Sequence, residues 1–459
     1  MAGVVQKPLR MLSSRVRSLL RGAQVTRATV YGIMGTGWGF VTGPVTAIFI
    51  VSYFTPEEQG YYYTFSSVLA LNILFELGFS DIVKYFSAHE WAKLSLDSQG
   101  RLVGDADALS RLVSLGQASF RWYLMGGVIV AFGVGTAGYI FFSRSPDVGV
   151  TWVAPWLTLS ILSGMNMMLT PLWSMLEGCN QVSQVYSFRM VGSILRTLFI
   201  WVAVMCGARL WTASAGVAAI LVWSIVFLFW RYRSFFGPFF SKPQGPCVSW
   251  WGEIWQVQWR TAMSYINTFF ISYIFTPVLF HFHGSVVAGQ FGISWALAAA
   301  VGSVASMWST PRGPQFAMMI ARREYKALDQ LLYRIIAVAL GVLLLGGLAV
   351  WLLVYGLNIL NHPFAARLLP PLPTALILLG IAVASAFSPM SVYLRAHKKE
   401  PYVLISIASG VLIGLSSLIL GKQFSALGIA VAYLGSNLIL LPWGLAIFYH
   451  YRREWHAVV

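Results

Sequence analysis

Apolar stretches of about 20 residues, separated by short clusters of charge, recur along the whole chain. A helix of about that length crosses about 30 Å of hydrocarbon, so each stretch predicts one membrane span. Twelve are expected, at approximately 28–53, 61–85, 121–143, 151–175, 187–207, 211–230, 262–281, 287–311, 335–358, 371–394, 402–420 and 426–449. The connections on one side are all about a dozen residues or fewer. On the other side those at 86–120, 231–261 and 312–334 are longer.

Composition supports the pattern. Of the 459 residues 58% are hydrophobic and 10% charged, against roughly 25% charged in soluble domains. The 19 Trp, 20 Tyr, 30 Phe and 42 Gly fit spans with aromatic belts. A formal charge of +16 would suit nucleic acid, but the basic residues sit between apolar runs, as topology signals do, and no nucleic-acid partner is expected. With the N-terminus cytoplasmic, 26 of 31 Lys and Arg fall on the inner side. Arg144, Arg209, Arg367 and Lys422 fall on the outer side, and Arg196 lies within a span. Both termini are therefore expected in the cytoplasm.

Residues 1–26 do not read as a cleaved signal peptide. Leu9, Leu12, Val16, Leu19 and Leu20 oppose Arg10, Arg17 and Arg21, predicting a basic amphipathic helix on the membrane surface, with a disordered basic tail as the alternative. The chain is expected to continue as a first half at 27–230, a linker with an interfacial helix at 231–261, a second half at 262–449 and a tail at 450–459. Cys179, Cys206 and Cys247 form neither a disulfide framework nor a metal-ligand cluster. No Walker A, dinucleotide-binding or HExxH motif is present, and no metal, cofactor or catalytic residue is expected.

An internal echo supports two halves. Gln59-Gly60-Tyr61-Tyr62 is similar to Ala288-Gly289-Gln290-Phe291, and His89-Glu90-Trp91-Ala92-Lys93-Leu94 to Arg323-Glu324-Tyr325-Lys326-Ala327-Leu328. Repeats with an even number of spans are parallel and place a substrate path between the halves.

The run Phe54-Thr55-Pro56-Glu57-Glu58-Gln59-Gly60-Tyr61-Tyr62, then Phe75-Glu76-Leu77-Gly78, Leu176-Glu177-Gly178 and Ala321-Arg322-Arg323-Glu324-Tyr325 resemble the bacterial polysaccharide and O-antigen flippases. These belong to the multidrug/oligosaccharidyl-lipid/polysaccharide (MOP) superfamily. The resemblance spans nearly the whole chain in layout, although most motifs lie in the first half. It implies an all-α polytopic protein of the bacterial cytoplasmic membrane, with twelve transmembrane helices in two six-helix MATE-like lobes around a central cavity. It also implies a polyprenyl-pyrophosphate-linked oligosaccharide as cargo, and leaves room for other polysaccharide assembly proteins as partners alongside membrane lipids.

Charges within the spans are the candidate machinery, because each is costly in hydrocarbon. Asn72, Glu76, Ser80 and Lys84 recur every four residues as one polar stripe. Glu76 is either an ion-coupling carboxylate, for H+ or Na+, or a structural partner of another helix. Arg189, Ser193 and Arg196 share a face of the fifth span. Arg196 suits a phosphate or pairs with Glu76 or Glu177. Arg260, Ser264, Thr268 and Ser272, with Asn267 beside them and Arg312 on the same side, form an expected basic mouth; the alternative for Arg260 and Arg312 is headgroup anchoring. Arg196, Arg260, Arg312 and Arg189 are thus the expected pyrophosphate ligands, and Asn72, Ser264, Asn267 and Thr268 the polar contacts for sugar.

Trp251, Trp255 and Trp259 predict an interfacial helix rather than sugar stacking. Gly35, Gly39 and Gly43 predict close helix packing, Pro44 and Pro277 bends in their spans, and His281 and His283 exposed loop positions. The expected activity is alternating-access translocation of lipid-linked oligosaccharide, with ion coupling. A multidrug antiporter would need an acidic cavity, and a membrane polymerase or ligase a large outer loop.

Overall fold

The computed structural model describes residues 27–144, 147, 149–307, 312–397 and 401–456. The amphipathic helix expected within 1–26 lies outside them, as do the side chains of Arg260 and Ser264. The described chain is almost entirely helical: α1 Arg27–Tyr53, α2 Pro56–Leu69, α3 Ile73–Glu76, α4 Phe79–Trp91, α5 Ala106–Val128, α6 Gly135–Ser143, α7 Val153–Met168, α8 Thr170–Gly178, α9 Val182–Met205 and α10 Trp211–Phe236. After the linker follow α11 Trp255–Ser272, α12 Phe275–His283, α13 Ser285–Ser306, α14 Gly313–Ala321, α15 Tyr325–Ile359, α16 Pro371–Ala396 and α17 Val403–His456. One small hairpin, β1 Leu94–Leu96 antiparallel to β2 Leu102–Gly104, lies in the long connection at 86–120.

Helices satisfy their own backbone hydrogen bonds, which hydrocarbon demands. Among the described residues nine helices are long and apolar enough to cross a bilayer, or eleven when each of two bent pairs is taken as one span. Within α17 the chain doubles back. Its backbone leaves helical geometry at Phe424 and Ser425, and Ser416 hydrogen-bonds Ser436 at 3.2 Å. Twenty residues of straight helix would hold those two hydroxyls about 30 Å apart, so the arms fold back on each other. This is a multi-pass membrane protein.

The second span starts earlier than its apolar pattern suggests. Thr55 caps α2 through a reciprocal bond pair with Glu58, at 3.2 and 3.0 Å, and Pro56 occupies the first turn. These groups satisfy free amides and a preset φ suits the first position, so Pro56–Gly60 is helix rather than loop. Further in, Leu77 and Gly78 both adopt positive φ, 48° and 69°, and the chain bends by 43°. The expected stripe from Asn72 to Lys84 therefore does not lie on one continuous helix. The first lobe-like group, α1 to α10, packs mainly within itself, as does α11 to α17; α13 crosses onto α1 and α2, and α11 onto α3 and α4.

The end bearing Arg144, Arg209, Arg367 and Lys422 is called outer, on the charge rule. There α2 and α13 meet so closely that a Cβ on Gly60 would sit 2.0 Å from the Ser285 carbonyl oxygen, and one on Gly289 2.8 Å from the Gly60 nitrogen. These two glycines are the echoed pair of the internal repeat. Gln59 Nε2 donates to the carbonyls of Gly289 and Arg367 at 2.9 and 3.0 Å, and Arg367 donates to the Phe54 carbonyl at 2.6 Å. Burial lowers the Arg367 pKa, while Glu57 and Glu58 oppose that shift. Tyr61 meets Phe280 edge-on at 4.9 Å across the same seam. His283, expected to be exposed, instead contacts the Gly421 carbonyl at 2.7 Å; Lys422 stacks over Phe282.

The seventh span breaks between Ser272 and Phe275 with a 42° bend, just before Pro277. By contrast α1 runs through Pro44 as one helix. On the inner side α11 leans on the break in the second span: a Cβ at Gly78 would be 2.4 Å from Thr261 Cγ2 and 2.6 Å from the Tyr265 ring. Gln258 donates to the Leu77 carbonyl. The break therefore needs glycine for both its φ and its neighbour.

Candidate functional site: an arginine-lined cleft

A cleft of about 290 Å³ lies where α1, α2, α9 and α13 converge. Arg196 is the one charged side chain among the described residues lining it, and no carboxylate shares the lining. It is exposed to the cleft and has no ion-pair or hydrogen-bond partner among the described residues. The expected alternatives, pairing with Glu76 or Glu177, are not what the side chain does. Its stem runs past Gly216 of α10, where a Cβ would lie 3.4 Å from Arg196 Cγ and 2.9 Å from Ile200. Glycine there leaves room for the stem.

The expectation that Gly35, Gly39 and Gly43 weld helices together is corrected by their surroundings. Gly35 approaches Met190, but a Cβ on Gly39 or Gly43 would meet nothing within 4 Å. Both border the cleft, so their missing side chains enlarge it. Opposite them α13 presents Ala296 and Ala300, while α2 supplies Tyr62 and Tyr63 and α9 supplies Ser193 and Thr197. From sequence Tyr62 was noted only within the echoed run, and neither tyrosine was assigned to a site. The signal available was their place directly after the Gln59-Gly60 echo, which fixes α2 against α13.

Arg189, seven residues before Arg196, belongs elsewhere. It is paired with Glu177, whose side chain is only 5% exposed, and Lys84 meets the same carboxylate at 3.3 Å. Arg189 thus spends its charge on a helix contact rather than joining Arg196. The pair borders a second cavity of about 420 Å³ inside the first helix group, lined by Glu76, Ser80, Asp81, Lys84, Asn166 and Glu177 among others. Ser80 donates to Glu76 at 2.5 Å, Lys84 to Asp81 at 3.0 Å, and Tyr265 of α11 to Asp81 at 2.9 Å. Three carboxylates face two cations here. Asn72 does not line this cavity; it ends the short 3-10 turn Ala70–Asn72 that precedes α3.

Only part of the expected basic mouth lies among the described residues. Arg312 is exposed and donates to Gln315 at 2.8 Å; Arg260 and Ser264 are side chains outside the described set. Thr268 is exposed. Asn267 is buried and bonds the backbone carbonyl and, at 2.8 Å, the hydroxyl of Ser406. It fastens α11 to α17, so its amide N–H groups are already engaged with Ser406. Trp251, Trp255 and Trp259 are exposed while Ile254 is buried. Among the described residues no group of three or more His, Cys, Asp or Glu is arranged to hold a metal.

No family model and no curated protein matches the sequence. Solved structures do match by shape. A lipid II flippase MurJ in an inward closed conformation superposes with TM-score 0.66 at 12% identity, over 91% of this chain and 87% of that one. An inward-facing multidrug resistance MATE family transporter of the MOP superfamily gives 0.60 at 14% identity, over 90% and 95%. The expected MOP/MATE-like fold is the fold observed.

Proposed function

We propose that the chain is a flippase moving a polyprenyl-pyrophosphate-linked oligosaccharide from the inner to the outer leaflet of a bacterial cytoplasmic membrane, both termini remaining in the cytoplasm. The two helix groups act as lobes that alternate about the cleft. The observation carrying this reading is Arg196, which has no ion-pair or hydrogen-bond partner among the described residues and faces a cleft with no carboxylate among the described residues lining it. A guanidinium in low dielectric attracts phosphate strongly and binds two of its oxygens at once. The glycine and alanine edges of α1 and α13 provide a gap of low side-chain bulk through which a lipid tail stays in hydrocarbon while its headgroup enters. A lipid II flippase with the same fold supports a cargo of this kind.

Glu76 is assigned to ion coupling, with H+ or Na+ as the driving ion. It lies beside a cluster whose Asp81 bonds Tyr265 of the other helix group, so a change of charge there has a short route to the contact between the groups. Other polysaccharide assembly proteins are the proposed protein partners. The carboxylates of this second cavity also suit the multidrug antiporter reading, in which a cationic drug would be the cargo.

The test is reconstitution into vesicles, following a labelled lipid-linked oligosaccharide between leaflets with and without imposed ion gradients. Arg196→Ala is expected to lower translocation at least tenfold with folding retained. Full translocation by that variant removes the phosphate role, and transport of cationic dyes in preference to the glycolipid establishes the antiporter instead. Glu76→Gln that keeps the wild-type dependence on the ion gradient excludes its coupling role.

A further inference from the structure

Resting on that reading, we propose that Tyr62 and Tyr63 form a sugar-ring subsite beside Arg196, so that the cleft recognises the pyranose adjoining the phosphate as well as the phosphate itself. Both tyrosines line the cleft. Their rings stand at right angles, 89°, with centroids 5.5 Å apart, making a two-sided aromatic corner. Each wall is held from outside the cleft. Phe54 meets Tyr62 edge-on at 5.8 Å, and α13 backs Tyr63 so closely that a Cβ on Gly292 would be 2.5 Å from the Tyr63 Cβ and Cγ. Neither hydroxyl bonds another described residue.

A pyranose has an apolar C–H face and a rim of hydroxyls. An aromatic wall takes the face, and a free phenol takes a rim hydroxyl. Of the side chains expected from sequence to hold sugar, Asn267 is committed to Ser406 and Asn72 is not part of the lining. The cleft's size sets the scope. About 290 Å³ lies just below the roughly 300–1,000 Å³ range of ligand pockets, enough for a phosphate group and the first sugar but not a long glycan. Selectivity is therefore read at the sugar next to the phosphate.

The experiment measures binding of two probes to the full chain in detergent: a ten-carbon prenyl diphosphate, and the same molecule carrying one pyranose on its diphosphate. Wild type is expected to bind the sugar-bearing probe about tenfold more tightly. Tyr62→Ala and Tyr63→Ala should each erase most of that preference while changing affinity for the bare diphosphate less than twofold. Tyr62→Phe should keep the stacking part of it, and so separates loss of the ring from loss of the fold. Arg196→Ala should weaken both probes equally. Retention of the sugar preference in both alanine variants, or its absence in wild type, overturns the subsite. Unchanged binding of both probes in Arg196→Ala overturns the phosphate reading on which it rests.

Discussion

Replacing Gly60 by Ala should prise open the outer seam. The new methyl carbon would sit 2.0 Å from the Ser285 carbonyl oxygen and 2.8 Å from its Cα. These are backbone atoms, so no rotamer change relieves the clash. To reach an ordinary contact of about 3.4 Å the two helices must separate by roughly 1.4 Å. That retreat stretches the Gln59 bonds to the Gly289 and Arg367 carbonyls beyond hydrogen-bonding range, since they stand at 2.9 and 3.0 Å in the sealed state. Overpacking typically costs about 1–3 kcal/mol, and each bond contributes about 0.5–1.5 kcal/mol. Overpacking alone, at about 1–3 kcal/mol away from the sealed state, changes populations by about 5- to 150-fold. The assay places one reporter cysteine at Ser193, in a chain whose Cys179, Cys206 and Cys247 are replaced, and times its labelling by a membrane-impermeant maleimide added from outside. Gly60→Ala should speed labelling by a factor in that range. Unchanged labelling in a folded variant would refute the idea that this contact seals the cleft.

Other sites give independent tests. Arg367→Ala removes the guanidinium bond to the Phe54 carbonyl and should open the same seam by about 1.5–3 kcal/mol, read by the same labelling. Tyr265→Phe deletes the hydroxyl bond to Asp81 and should accelerate labelling of Ser193→Cys from the inner side about fivefold or more, with little change from outside. Gly410→Ala would place a methyl on top of the Asn267 amide oxygen, breaking the Ser406 bonds; a loss of about 1–3 kcal/mol in unfolding free energy is expected, seen as a lower melting temperature in detergent. A Gly39→Leu variant should fold normally, because its Cβ meets nothing within 4 Å, yet transport poorly because the side chain fills the cleft.

The sequence was most informative where one physical rule dominates. Apolar length located the spans because hydrocarbon imposes the same demand on each. It was silent on the break at Leu77–Gly78, where a periodicity argument continued the helix through Glu76 into Lys84. The glycine there answers to Thr261 and Tyr265, nearly 190 residues away, and no local pattern encodes that neighbour. Arg196 was legible because a charge deep in a span needs a reason. Its company was not: Arg189 has the same face and residue type, yet the position of Glu177 on α8 captures it. Gly39 and Gly43 carry a packing signature and instead border open space, because spacing tells which residues share a face but not what lies opposite. Asn267 shows the same limit, since the carbonyl that claims it comes from a span nearly 140 residues later.

The cleft beside Arg196 is the proposed passage, and substrate protection probes it most directly. In vesicles the Ser193→Cys reporter should be labelled several-fold more slowly when a polyprenyl-pyrophosphate-linked oligosaccharide is present. The corresponding free polyprenol should give no protection, and the effect should vanish when Arg196 is also replaced by Ala. Equal labelling with and without the glycolipid, in a preparation that still translocates it, would place the passage elsewhere in the molecule.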